Sequence, residues 1–143
     1  CPAANERARA LFAATMATPI DMDVDEHDRM IAFVLGLSHA TGIAFVDALA
    51  NSGLPGEALM ALSSPTYDAL LGLGRTLVHE NPELYFEIQS LNDFGSESLS
   101  VLRESIGRLA GAVDRNDVHA FVSAMQAGRQ FVGRHDRAYG RSG

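Results

Sequence analysis

Four side chains in this sequence have the type and setting to do chemistry: His27, Ser38, His39 and Arg75. His27 lies between Glu26 and Asp28, where an acid in the first turn of a helix favours the helix dipole. It reads either as a local capping partner or as a functional group. No formally charged side chain occurs between Arg29 and Asp47, so Ser38-His39 sits in an apolar stretch. A histidine there must find a hydrogen-bond partner, line a cavity or face another subunit. Arg75 follows Leu70-Leu71-Gly72-Leu73-Gly74 and precedes Leu77-Val78. On a helix its neighbours are Leu71, Gly72, Val78 and His79. Its guanidinium must meet an anion, either a local acid such as Glu80 or Asp68 or the carboxylate of a ligand held by the planar fork. The other histidines, His79, His119 and His135, read as surface residues. No two histidines stand four apart with a carboxylate, so no metal is expected.

The elements that must position these groups read as helices from Asp25 onward. Asp25 can cap a long helix that runs to about Asn51, closed by Asn51-Ser52-Gly53 and Pro55. A short helical piece over 56–62 leads to Ser63-Ser64-Pro65, a cap with proline at the first helical position, and this helix carries Tyr67, Leu70, Leu71 and Arg75. Asn81-Pro82 repeats the signal for a helix over 83–91. Two more are predicted over 96–113 and from 117 to about Tyr139, joined at Arg115-Asn116. Upstream, alanine-rich residues 3–16 predict a helix stopped by Thr18-Pro19. Ile20-Asp21-Met22-Asp23-Val24 alternates apolar and acidic residues, which predicts a short half-exposed strand. The predicted fold is therefore all-α over 25–143, preceded over 1–24 by a helix and strand that read as the remnant of an α/β domain.

At 143 residues and 47% hydrophobic composition the chain can bury one core. A net charge of −7 and the absence of a basic window argue against a nucleic-acid or anionic-membrane partner. The single cysteine, Cys1, excludes an internal disulfide and a cysteine-based zinc site, which fits a reducing cytoplasm. The first ten residues lack the charged-then-apolar layout of a secretory signal. The apolar run from Met30 to Val46 holds Ser38, His39 and Thr41 and is slightly short for a bilayer, so a helix buried in a core or a dimer interface is expected.

Taken together, the blocks Glu26-His27-Asp28 to Ser38-His39, Leu62-Ser63-Ser64-Pro65-Thr66-Tyr67 to Gly74-Arg75, Glu80-Asn81-Pro82-Glu83-Leu84-Tyr85-Phe86-Glu87-Ile88-Gln89, and Asn116-Asp117 to Ala120-Phe121 resemble the C-terminal helical domain of prephenate/arogenate dehydrogenases. The likeness covers roughly residues 20–135, and residues 1–22 are weakly similar to the tail of a preceding nucleotide-binding domain. The resemblance implies a substrate-binding and dimerising unit. Arg75 takes the place of the arginine that binds a substrate carboxylate, Ser38 and His39 line the pocket wall, and His27 is a further binding candidate. Tyr85 and Gln89 recur in the family's Leu-Tyr segment, while Phe86 and Ile88 read as core. One departure stands out: many relatives carry a second histidine three residues after the first, and this chain has Gly42.

The implied reaction is oxidative decarboxylation of prephenate or arogenate in tyrosine biosynthesis, with hydride passing to NAD or NADP and carbon dioxide leaving as the ring aromatises. In the family the cofactor and the general-base histidine belong to the preceding domain. No Gly-x-Gly-x-x-Gly turn occurs in this sequence, so neither a cofactor site nor a catalytic residue is expected in this chain. A homodimer built on the Met30–Val46 helix is expected. The rival readings are a stand-alone helical ligand-binding or regulatory module and a purely structural dimerisation unit. The isolated chain should not bind NAD(P); stoichiometric NAD⁺ binding in a calorimeter would contradict this assignment.

Overall fold

The computed structural model describes residues 2–138, with side chains from Ala3 to Arg134. Cys1, the His135 side chain and the expected helix end at Tyr139 lie outside the described residues. Every regular element among them is a helix. α1 spans Pro2–Phe12, α2 Val24–Ile31 and α3 Ser38–Ala50. Between α2 and α3 the segment Ala32–Leu37 is a π turn, and the three form one continuous rod, Val24–Ala50. Then follow α4 (Gly56–Ala61), α5 (Pro65–Val78), α6 (Pro82–Ser90), α7 (Gly95–Asp114) and α8 (Val118–Ala138).

Local capping chemistry explains most of the boundaries. The Ser64 hydroxyl accepts from the Tyr67 N–H at 3.2 Å and Asn81 Oδ1 accepts from the Glu83 N–H at 3.0 Å, each cap preceding a proline at the helix start. α7 ends in a left-handed cap at Asn116 (φ 53°), with the Asn116 N–H on Val113 O and the Asp117 N–H on Ala112 O. Asp117 Oδ1 in turn accepts from the Ala120 N–H at 2.9 Å and starts α8.

Three upstream expectations are corrected. Residues 20–23 form no strand, because no second strand is present among the described residues to pair with them. The cap of the rod lies two residues before the expected one: Asp23, in extended conformation, accepts from the Glu26 N–H at 2.8 Å, whereas Asp25 lies inside the first turn. α1 is also shorter than expected, giving way to a turn in which Thr15 bonds back to Phe12 O.

The rod is the spine of the fold. α3 packs along α5, the π turn meets α6 and α7, and α8 lies against α7. α3 and α5 touch through glycine: a Cβ on Gly74 would stand 2.2 Å from Val46 Cγ2, and one on Gly42 would stand 2.5 Å from Leu77 Cδ1. At the second crossing the start of α7 sits on the end of α6, where a Cβ on Gly95 would stand 2.1 Å from the Gln89 carbonyl oxygen. Asn92 Nδ2 donates to Asp28 O at 2.8 Å, and Arg29 pairs with Glu97 at 2.6 Å, tying this corner to α2.

A backbone oxygen cannot yield as a side chain can. Gly95→Ala should therefore destabilise the chain by about 1–3 kcal/mol. Gly72→Ala, mid-helix with open space around the new methyl, should stabilise it by about 0.5–1 kcal/mol. Urea or thermal melts check both; a neutral Gly95→Ala would refute the α6–α7 contact.

Candidate functional site

The π turn determines what stands around His39. A π turn closes its rings one residue later than an α-helix, with poorer hydrogen-bond geometry, and so depends on outside support. Here side chains supply it: Ser38 Oγ donates to Val34 O at 2.7 Å and lies 3.0 Å from Leu35 O, and Thr41 Oγ1 donates to Leu37 O at 2.7 Å. From α6, Gln89 Nε2 donates to Gly36 O at 2.7 Å. Gly36 lets the amide approach, since a Cβ there would stand 3.3 Å from Gln89 Oε1 and 3.7 Å from Ser98 Oγ.

His39 follows two residues after the turn, half-buried, its ring edge-on to Tyr85 with centroids 4.8 Å apart. Its Nδ1 is buried without a hydrogen-bond partner, as is Gln89 Oε1. Tyr85 and Gln89 are successive inward positions on α6, so both unpartnered atoms belong to one seam between the rod and α6. Both are unsatisfied polar atoms of the packed seam, where most buried polar groups find a partner.

Arg75 projects from the last turn of α5 and is exposed. Among the described residues no carboxylate pairs with it, and in particular the local partnership with Glu80 or Asp68 is not formed. It adjoins Gly74, which packs on the Gly42 carbonyl and Val46, while His39 lies one helical turn before Gly42. The α3–α5 crossing thus sets the backbone beside Arg75 against the backbone one turn after His39. The same crossing accounts for the departure at Gly42, because a larger side chain would collide with Leu77.

The remaining candidates are placed differently. The Ser38 hydroxyl has its proton committed to the π-turn carbonyls, which leaves it as an acceptor only. His27 is exposed and its Nδ1 lies 2.9 Å from Asp28 Oδ1, the local pairing open to it from sequence. Twelve residues along the rod separate it from His39, about 18 Å at helical rise, so the two cannot grip one small molecule together within this chain. The partners that sequence reading missed are Gly36 and Ser98. Their only signal was a small residue three positions before His39 and a serine one turn into a helix.

Among the described residues no three His, Cys, Asp or Glu side chains converge as a metal site requires. No strand leads into a glycine-rich turn, so the described residues do not fit a dinucleotide pyrophosphate. A cleft bounded by Asp23, Glu26, Arg29, Met30 and Phe94 opens beside the start of the rod, away from Arg75.

The family described as "Prephenate dehydrogenase, dimerization domain" matches residues 23–127, a span that begins at the Asp23 cap. The 4-amino-4-deoxyprephenate dehydrogenase of Streptomyces pristinaespiralis is 29% identical over 125 residues, covering 87% of this chain and 42% of that protein. The T-protein of Enterobacter agglomerans is 26% identical over 114 residues, 80% of this chain and 31% of that protein. A probable arogenate/prephenate dehydrogenase of Methanocaldococcus jannaschii is 24% identical over 109 residues, 76% of this chain and 24% of that protein. The chain therefore spans less than half the length of each of these relatives. No solved structure matches it.

Proposed function

Because this chain belongs to the prephenate dehydrogenase dimerization-domain family, we propose that it is the helical substrate-binding and dimerising part of an oxidoreductase of tyrosine biosynthesis. Its substrate would be prephenate, arogenate or a close analogue. The names of its relatives point to one molecular skeleton, with an amino group replacing an oxygen function in 4-amino-4-deoxyprephenate. NAD or NADP would bind to a domain outside these residues, in a cytoplasmic enzyme. Residues 1–24 would belong to that domain, where a neighbour would cover the exposed Leu11, Met16 and Ile20.

The observation that carries this reading is Arg75, an exposed guanidinium with no carboxylate partner among the described residues, on a chain whose net charge is −7. An excess of negative charge repels a dicarboxylate, so binding needs a local cation, and the planar fork can hold a carboxylate by two bonds. The half-buried His39 ring would line the pocket wall, and the Ser38 oxygen would accept a hydrogen bond. His27 would bind only at a separate point, facing another domain or copy.

Dimerisation accounts for the exposed apolar surface. A folded monomer of this mass exposes about 7,100 Å² by the usual scaling, and this chain exposes 11408 Å². Among the described residues the buried apolar side chains are only Ala32, Leu77 and Ala112. Val34, Leu35 and Ile43 on the rod stay exposed, and so do Ile106, Leu109 and Val113 on α7. On α8 Val118, Phe121, Val122 and Met125 form a helical stripe that α7 covers only in part. A second copy covering these faces would bury an area in the range of obligate homodimers, about 2,000–5,000 Å². Light scattering should give twice the chain mass of 15.3 kDa; a monomer mass independent of concentration would refute the dimer.

With a nucleotide-binding domain joined upstream, Arg75→Ala should cost about 2–5 kcal/mol of substrate interaction, roughly thirtyfold or more in kcat/KM, with little change in melting temperature. Lysine should restore part of the loss, because a point charge cannot reproduce the fork. Unchanged kinetics with a clear loss of stability would assign Arg75 to structure and overturn the site.

A further inference from the structure

We infer that Gln89 is a positioning residue that sets the direction of His39 by holding the π turn. His39 has no hydrogen bond of its own to orient the ring, since its Nδ1 is buried without a partner. The ring direction therefore follows from the backbone that carries it and from the Tyr85 edge it meets.

That backbone is constrained at both ends. Before the turn, Arg29–Glu97 and Asn92–Asp28 O fix α2 against the start of α7. After it, Gly42 and Val46 are wedged on Leu77 and Gly74 of α5. The turn must reconcile the two anchors, and its extra residue sets the rotation between them. Reversion of Ala32–Leu37 to α register would rotate the start of α3 by about 100° relative to α2, carrying His39 away from Tyr85. Among the described residues the one hydrogen bond that reaches the turn from another helix through a side chain is Gln89 Nε2 to Gly36 O. Tyr85 lies one helical turn earlier on the same helix, so α6 both holds the turn and provides the wall against which His39 rests. Relevance to turnover rests on the dehydrogenase reading; the geometry of His39 does not.

Gln89→Met keeps length and bulk and removes the donor. NMR of the 143-residue chain, with His39 signals assigned by His39→Asn, reads the nuclear Overhauser contact between the His39 and Tyr85 rings and the ring-current shift that Tyr85 imposes. The expected result is loss of both in Gln89→Met and their retention in Asn92→Ala, which removes a different bond of the same corner. Gly36→Ala, which crowds the amide without removing any side chain, should move the His39 signals in the same direction as Gln89→Met. An intact His39–Tyr85 contact in folded Gln89→Met overturns the proposal, as does its equal loss in Asn92→Ala. Should Gln89→Met not fold, unshifted His39 signals in Gly36→Ala overturn it. In the two-domain enzyme a misdirected His39 should cost roughly tenfold or more in kcat/KM. A null result for Arg75→Ala would count against the dehydrogenase reading and leave these spectra unaffected.

Discussion

The contact on which the rest of this structure depends is the meeting of the π turn, α6 and α7 at Gly36, Gln89, Gly95 and Ser98. The α7 backbone meets the end of α6 at a distance only glycine allows, at Gly95, while at Gly36 the polar side chains of Gln89 and Ser98 fill the centre. Ser98 is fully buried and satisfies its hydroxyl on the Gly95 carbonyl one turn back, at 2.9 Å. The Gln89 side chain reaches into the turn while its own carbonyl carries the start of α7. In a domain with so few fully buried apolar side chains, such close backbone contacts fix geometry that a large core would otherwise impose.

The second glycine crossing, between α3 and α5, has a different consequence. It sets the level of Gly74, next to Arg75, against Gly42, one helical turn after His39. The two crossings work together, because one orients the histidine and the other places the arginine. Neither residue is held by an ion pair among the described residues. His27, at the far end of the rod, belongs to a different surface.

The apolar surface follows from the same architecture. A bundle organised around a single long rod covers one side of that rod with α5, α6 and α7 and leaves the other faces to be covered by something else. α8 repeats the situation, touching α7 on one side and presenting an apolar stripe on another. Length and composition alone would let the Val24–Ala50 rod cross a membrane, yet Gly36 and Gly42 are buried against protein side chains, as a packed helix requires.

What the amino-acid sequence determined by itself was the local chemistry of helix ends and the order of the helices. Ser64-Pro65, Asn81-Pro82 and Asn116-Asp117 act through bonds spanning a few residues, so their outcome depends little on the remainder of the chain. The family likeness was likewise readable, because it rests on residue types at fixed spacings. The strand expected at 20–24 failed since alternation specifies a strand only where a partner is present, and the same residues could serve instead as the lead-in to the Asp23 cap. The π turn was invisible: an unbroken apolar run reads alike in either register. Only the tertiary structure decided that Arg75 pairs with neither Glu80 nor Asp68 and that His39 rests on Tyr85. Those outcomes depend on which helices cross and how closely, and that is set by contacts between residues tens of positions apart.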